Sequence, residues 1–315
     1  MTDIHIANAP CSWGALEFEG LEGQGGEAIA YGQMLDELCE TGYIGTELGD
    51  WGYLPTEPIA LRAELEKRNL AMVGAFVPVA LKYPELHADG EAEALKVARL
   101  LASVADTGGN SQLPCVILAD ANGTDPVRTQ YAGRVTPEMG LGLAEWRTFT
   151  NGAEHIARAV HDATGLPVAF HHHCAGYVET PEEIARFLDM TNPYLIGLVF
   201  DTGHYLYGTG LVDGAIVLDG LNRFSERIMH VHFKDFQSSV AIQARRESWN
   251  YFRALQHGIF CELGLGSVPF AAVAELLRKR SYHGWIVVEQ DILPGMGSPK
   301  ASAQLNRDYL KTIGL

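Results

Sequence analysis

The sequence has no CxxC pair, and its five cysteines, Cys11, Cys39, Cys115, Cys174 and Cys261, are odd in number and widely spaced. A disulfide framework is therefore excluded as the organising device, and the cysteines read as small buried hydrophobes. No apolar run approaches the roughly 20 residues a membrane helix needs. The start, MTDIHIANAPCSWG, lacks the basic and apolar segments of a secretory leader, so a cytoplasmic protein is expected. Basic charge is scarce: 23 Lys and Arg stand against 39 Asp and Glu, a net charge of −16. Such a surface repels phosphate backbones and anionic membranes, which removes nucleic acid and membrane as expected partners. A neutral small molecule fits better. Glycine- or serine-rich linkers and internal repeats are missing as well, so one domain over residues 1–315 is the simplest organisation.

What is present is an alternation. A 315-residue chain that is 47% hydrophobic and 20% charged can bury a large core, and short β-like apolar runs alternate along it with longer helix-like segments. Eight strands are predicted, over 4–13, 43–49, 71–79, 114–120, 167–173, 196–203, 228–236 and 284–291. Eight βα units predict an α/β fold of the (β/α)8 TIM-barrel kind. Helical spacing of Met34, Leu35, Leu38 and Cys39, of Val97, Leu100, Leu101 and Val104, and of Val273, Leu276 and Leu277 supplies faces to pack on the barrel. Thr180, Pro181 and Glu183 spell a helix start with a capping box. Three long stretches, 14–26, 121–143 and 237–266, are candidates for lids or subunit contacts, the last with a helix near 241–255. A homo-oligomer is compatible with them.

Ionisable side chains gather at the C-terminal ends of the predicted strands, where a TIM barrel keeps its active site. Strand two ends with Glu47, strand five with His171, His172 and His173, and strand six with Asp201 and His204. Strand seven carries His230, His232, Lys234 and Asp235, and strand eight Glu289 and Asp291. Side chains alternate along a strand, so His171 and His173 share a face, as do His230, His232 and Lys234, and as do Glu289 and Asp291. His172 is expected on the opposite face. Enclosing these groups without partners costs many kcal/mol, and a divalent metal removes the conflict. The mixed His and carboxylate set suits Mn, Co, Fe, Zn or Ni rather than Ca or Mg. The expected ligands are His171, Asp201, His232 and Glu289, with His204 close by and His230 supporting from below.

At these residues the sequence resembles the xylose isomerase-like TIM-barrel superfamily and, within it, the inosose (2-keto-myo-inositol) dehydratase-like branch. The likeness spans nearly the whole chain: NAPCSWG at 8–14, GYIGTELGDWGYLP at 42–55, FHHH at 170–173, FDTGH at 200–204, HVHFKD at 230–235 and VVEQD at 287–291. The PCSWG opening and TELGxxGYLP point to the branch, HxHxKD and DTGH only to the superfamily. The resemblance implies a divalent metal, most readily Mn or Co, held by Glu, Asp, His and Glu. Asp201, His232 and Glu289 match three of these, and His171 stands where the first glutamate falls. That departure removes the pair of glutamates with which epimerases work both faces of a sugar.

The resemblance thus implies a metal-dependent lyase of carbohydrate metabolism, specifically inositol catabolism, that dehydrates a keto-inositol through an enediolate. The alternative is a sugar isomerase or epimerase on the same platform. Base and acid are expected among Lys234, Glu47, His204 and His173, although Glu47 and Lys234 also suit ion pairs at the barrel rim. Trp13 and Trp51 are candidates for an apolar wall against a sugar ring or for plain packing, and His230 and Asp291 for further substrate contacts. An abasic-site endonuclease of the same superfamily is disfavoured by the acidic charge, and a non-catalytic scaffold by the near-complete ligand set.

Overall fold

The computed structural model describes residues 4–15, 29–109, 112–293 and 296–315. Eight parallel strands, β1 (Ile4–Asn8), β2 (Gly45–Glu47), β3 (Ala71–Val79), β4 (Cys115–Asp120), β5 (Val168–His171), β6 (Ile196–Asp201), β7 (Ile228–Phe233) and β10 (Gly284–Val288), close into a barrel. Its order is β1-β10-β7-β6-β5-β4-β3-β2. A separate antiparallel pair, β8 (Asp235–Phe236) with β9 (Phe260–Cys261), lies after β7. The expected (β/α)8 architecture is the one observed. Among the described residues, no helix is long and apolar enough to cross a membrane.

The helices form where their apolar spacing meets the barrel. Met34, Leu35 and Leu38 are buried on the helix Tyr31–Glu40, Val97, Leu100 and Leu101 on His87–Ser103, and Val273 and Leu277 on Phe270–Lys279. The capping box is realised: Glu183 N donates to Thr180 Oγ1 at 3.2 Å and Thr180 N to Glu183 Oε2 at 3.0 Å, at the head of Pro181–Asp189. Caps of this kind contribute about 1 kcal/mol.

Most strands end sooner than the apolar pattern suggests, and several of the early ends have a visible cause. Residues 10–13 turn into a 3-10 helix, since Pro10 has no N–H for a ladder. At 202 the chain leaves β6 straight into the helix Thr202–Gly208, with the Asp201 carboxylate capping it by accepting from His204 N at 2.7 Å. Gly203 permits that turn, because an added Cβ would meet Lys234 Cγ at 2.8 Å. Residues 235–236 join the small sheet instead of β7. Beyond β10, one more bond, Glu289 N to Phe233 O at 3.0 Å, prolongs the pleat. The expected helix at 241–255 is two helices, Ser238–Arg246 and Tyr251–Gln256, parted at Ser248 (φ 55°), with Asn250 capping the second. The stretch 121–143 carries the short helix Pro126–Gln130, and much of 14–26 lies outside the described residues.

Strand alternation separates two environments. Phe170, Leu198, Phe200, Val231 and Val288 belong to the large core shared with the helices, whereas Ala169, Val199 and Val287 on the other face form small apolar groups inside the barrel. His171, Asp201, His232 and Glu289 continue that inner face upward. His172 points the opposite way as expected, buried against Phe200 and Tyr205, and its Nε2 accepts from Asp201 N at 3.2 Å.

Candidate metal centre and active site

Register brings the four expected ligands to one level: Asp201 pairs with His232 across β6 and β7, and His232 pairs with Val287 across β7 and β10. One donor atom from each of His171, Asp201, His232 and Glu289 lies within 4.8 Å of the others. His171 Nε2 is 3.1 Å from His232 Nδ1 and 3.7 Å from Asp201 Oδ2. His232 Nδ1 is 3.8 Å from Asp201 Oδ2 and 3.3 Å from Glu289 Oε2. Bonds of about 2.1 Å to a common ion place neighbouring donors roughly 3.0–3.5 Å apart, so a small inward adjustment completes a coordination shell.

Two independent features agree with a cation here. Asp201 Oδ2 is buried with no hydrogen-bond partner among the described residues and faces the other donors, a costly state unless an ion engages it. Charge is also out of balance. The carboxylates Glu47, Asp201, Glu289 and Asp291 outnumber the Lys234 ammonium, which pairs with Glu289 and Asp291, while Glu47 bonds His230 and His232. Burial raises the Asp201 and Asp291 carboxyls above their usual range. Burial opposes charge on His232 too, but the Glu289 and Glu47 carboxylates prevail and hold its ring well above the ordinary value. A divalent ion would supply positive charge here and take the place of the His232 proton.

Beside this cluster, Lys234 Nζ lies 3.2 Å from Glu289 Oε2, 3.2 Å from Asp291 Oδ1 and 3.2 Å from His204 Nε2, over the Phe260 ring at 4.8 Å. Burial disfavours its charge, yet the Asp291, Glu289 and Asp201 carboxylates hold it well above the usual lysine value, as an ammonium. The His173 and His204 rings lie against each other with centroids 3.7 Å apart and planes tilted by 38°, and burial pushes both well below the ordinary histidine value, leaving them neutral. His173 Nδ1 sits 2.6 Å from Cys174 O. A carbonyl only accepts, so Nδ1 carries the hydrogen and Nε2 the lone pair. The small cavity of about 40 Å³ at this end is lined by Pro10, Cys11, Glu47, Phe76, His171, His173, Lys234, Glu289 and Asp291.

Residues 35–313 match the family described as xylose isomerase-like TIM barrel. The chain belongs to that family. Among curated relatives, an inosose dehydratase of Geobacillus kaustophilus is 30% identical over 313 residues, covering 98% of this chain and 94% of its own. One of Lacticaseibacillus casei is 26% identical over 307 residues, covering 98% and 96%. Two solved structures share the fold: a probable 3-DHS dehydratase, AsbF, of Bacillus anthracis (TM-score 0.67, 12% identity, 98% of each chain) and a D-allulose 3-epimerase of Methylomonas sp. (TM-score 0.65, 15% identity, 99% of each chain). The expectation of an enzyme, a lyase or an isomerase or epimerase, agrees with these likenesses.

Not every expected residue of this xylose isomerase-like barrel reaches the cavity. Trp13 is buried in packing, its Nε1 donating to Glu37 Oε2 at 2.9 Å, and Trp51 is 40% exposed beneath the Lys96 ammonium, 4.0 Å from the ring centroid. Neither is among the described residues lining the cavity. His230 lies one layer lower, 3.0 Å from Glu47 Oε1. Phe76, Phe260 and Tyr251 were not anticipated. Phe76 meets His171 edge-on at 6.0 Å, and Tyr251 meets His173 at 5.7 Å. Phe76 was discoverable from its place near the end of β3; Tyr251 and Phe260 come from the long stretch after β7, which has no strand register to place them.

Proposed function

We propose that this enzyme is a divalent-cation-dependent lyase that dehydrates 2-keto-myo-inositol or a close analogue. The carrying observation is the meeting of four metal-type donors around the partnerless Asp201 Oδ2, directly beside a lysine ammonium and a neutral histidine pair. The likeness to proteins named inosose dehydratase supports the substrate class. His171, Asp201, His232 and Glu289 would hold the ion, Mn or Co by preference, with Zn, Fe and Ni also suited to the donor set. When bound, the ion acts as a Lewis acid on the ketone oxygen.

The chain's own groups then divide the proton work. The His173 Nε2 lone pair removes the hydrogen on the carbon next to the ketone. The electron pair of that C–H bond becomes the new double bond as the β C–O bond breaks. Lys234 gives a proton to the departing hydroxyl, which leaves as water. His204 and Asp291 orient the ammonium from two sides.

The alternative, a sugar isomerase or epimerase, would use the same ion but have no departing hydroxyl to protonate, and the enclosed Lys234 ammonium favours the lyase. The test is direct. Keto-inositol incubated with the enzyme and Mn or Co should lose one water per molecule and gain ultraviolet absorption. Interconversion of ketoses or aldoses with no loss of water would contradict the reading.

A further inference from the structure

Inside the barrel, one layer below the cation site, Glu47 reaches from the end of β2 to two histidines of β7. Its Oε1 lies 3.0 Å from His232 Nε2 and 3.0 Å from His230 Nε2. We infer that Glu47 is a positioning residue: it fixes the His232 ring so that Nδ1, and not Nε2, faces the cation, while His230 holds the carboxylate in turn. The inference rests on the metal reading given above.

The argument is one of donors and acceptors. A carboxylate can only accept, so both Nε2 atoms must carry hydrogen. A neutral His232 protonated at Nε2 has its lone pair on Nδ1, the atom 3.1 Å from His171 Nε2 and 3.3 Å from Glu289 Oε2. Rotating the ring to present Nε2 upward would break the bond to Glu47 and leave that carboxylate on His230 alone.

His171 provides an internal contrast. Its far nitrogen, Nδ1, is buried with no hydrogen-bond partner among the described residues. The two imidazoles on the cation are therefore unequal: His232 is locked from behind and His171 is not. Partners that orient a metal-bound histidine typically change metal affinity by about 10–100-fold. Glu47 thus acts on the ion through His232, a role distinct from the proton carrier expected from its place at a strand end.

The test uses full-length protein stripped by a chelator and titrated with Zn²⁺ and Mn²⁺ by calorimetry or chelator competition. Glu47→Gln should weaken both ions by about 10–100-fold, and the metal concentration for half-maximal activity should rise by the same factor. His230→Gln should weaken them in the same direction but less. Long-range ¹H–¹⁵N spectra of zinc-loaded wild-type protein labelled at histidine should show His232 bound through Nδ1 with its Nε2 hydrogen retained. This measurement decides the matter even where a variant folds poorly. Unchanged affinity in Glu47→Gln, coordination through Nε2, or two ions per chain with Glu47 itself a ligand would each overturn the inference. A wild-type protein that takes up no ion would overturn the metal reading and this inference together, whereas a binding wild type with an indifferent Glu47→Gln overturns this one alone.

Discussion

The two ends of the barrel carry opposite kinds of space. At the N-terminal end of the strands lies a cavity of about 470 Å³ walled largely by Val73, Leu113, Val168, Met229 and Trp285, while the C-terminal end keeps only about 40 Å³ among charged and imidazole groups. Among the described residues the larger space has no converging donor set, and the smaller one has little else. Size and chemistry are separated, and chemistry follows the convergence of polar groups rather than the volume. The partition between the ends is thin: His230 lines the lower cavity and bonds Glu47, which lines the upper one.

Removing donors from the upper end should therefore be the most damaging change. Asp201→Ala should abolish retention of Mn or Co after dialysis and lower kcat by at least about a thousandfold, the scale of losing several kcal/mol of charge stabilisation. The barrel should stay folded by circular dichroism, with a modest loss for the missing helix cap. Lys234→Gln comes next. It should reduce kcat by about 10²–10⁴-fold while the ion is still bound, and thermal denaturation should register the Asp291 and Glu289 carboxylates left without their cation.

Asp120, at the end of β4, tests an upper-end carboxyl outside the ion cluster. Burial raises it to about 6, against the bond it accepts from Tyr177 N at 2.9 Å. A carboxyl with a raised folded value holds its proton longer in the folded state than in the unfolded one. Stability should therefore be fullest below about pH 4 as far as this group is concerned, and fall as pH rises through about 6, by an amount on the order of 3 kcal/mol. Asp120→Asn should flatten the dependence of Tm on pH across that window. The smallest effect belongs to the lower end. Met229, half exposed on the wall of the large cavity, should accept Lys with activity within about twofold and stability within about 0.5 kcal/mol. A strong loss of activity there would break the comparison.

How much of this could be read in advance varied with the kind of signal. Inner-face residues followed strand alternation, so His171, Asp201, His232 and Glu289 come together although they are far apart in sequence. The Thr180 capping box was legible for a similar reason, being a local contract between a hydroxyl, a proline and a glutamate three residues on. Depth within the barrel was not legible. Alternation puts His230 and Lys234 on the same face as His232, but only the register of neighbouring strands and the length of each side chain decide that His230 sits below the four-donor cluster and Lys234 beside it. Aromatics were the least predictable: Trp13 and Trp51 sit in or near sugar-like motifs yet turn to Glu37 and Lys96, while Phe260 reaches Lys234 from a two-residue strand that no apolar pattern marks.

The central claim is a single ion held by side chains from β5, β6, β7 and the end of β10, and anomalous diffraction from crystals grown with Mn or Co tests it most directly. The account predicts one strong peak within about 2.0–2.4 Å of His171, Asp201 Oδ2, His232 Nδ1 and Glu289. A peak elsewhere with Asp201 and His232 uninvolved, or none in crystals of an enzyme saturated with the metal, would contradict it.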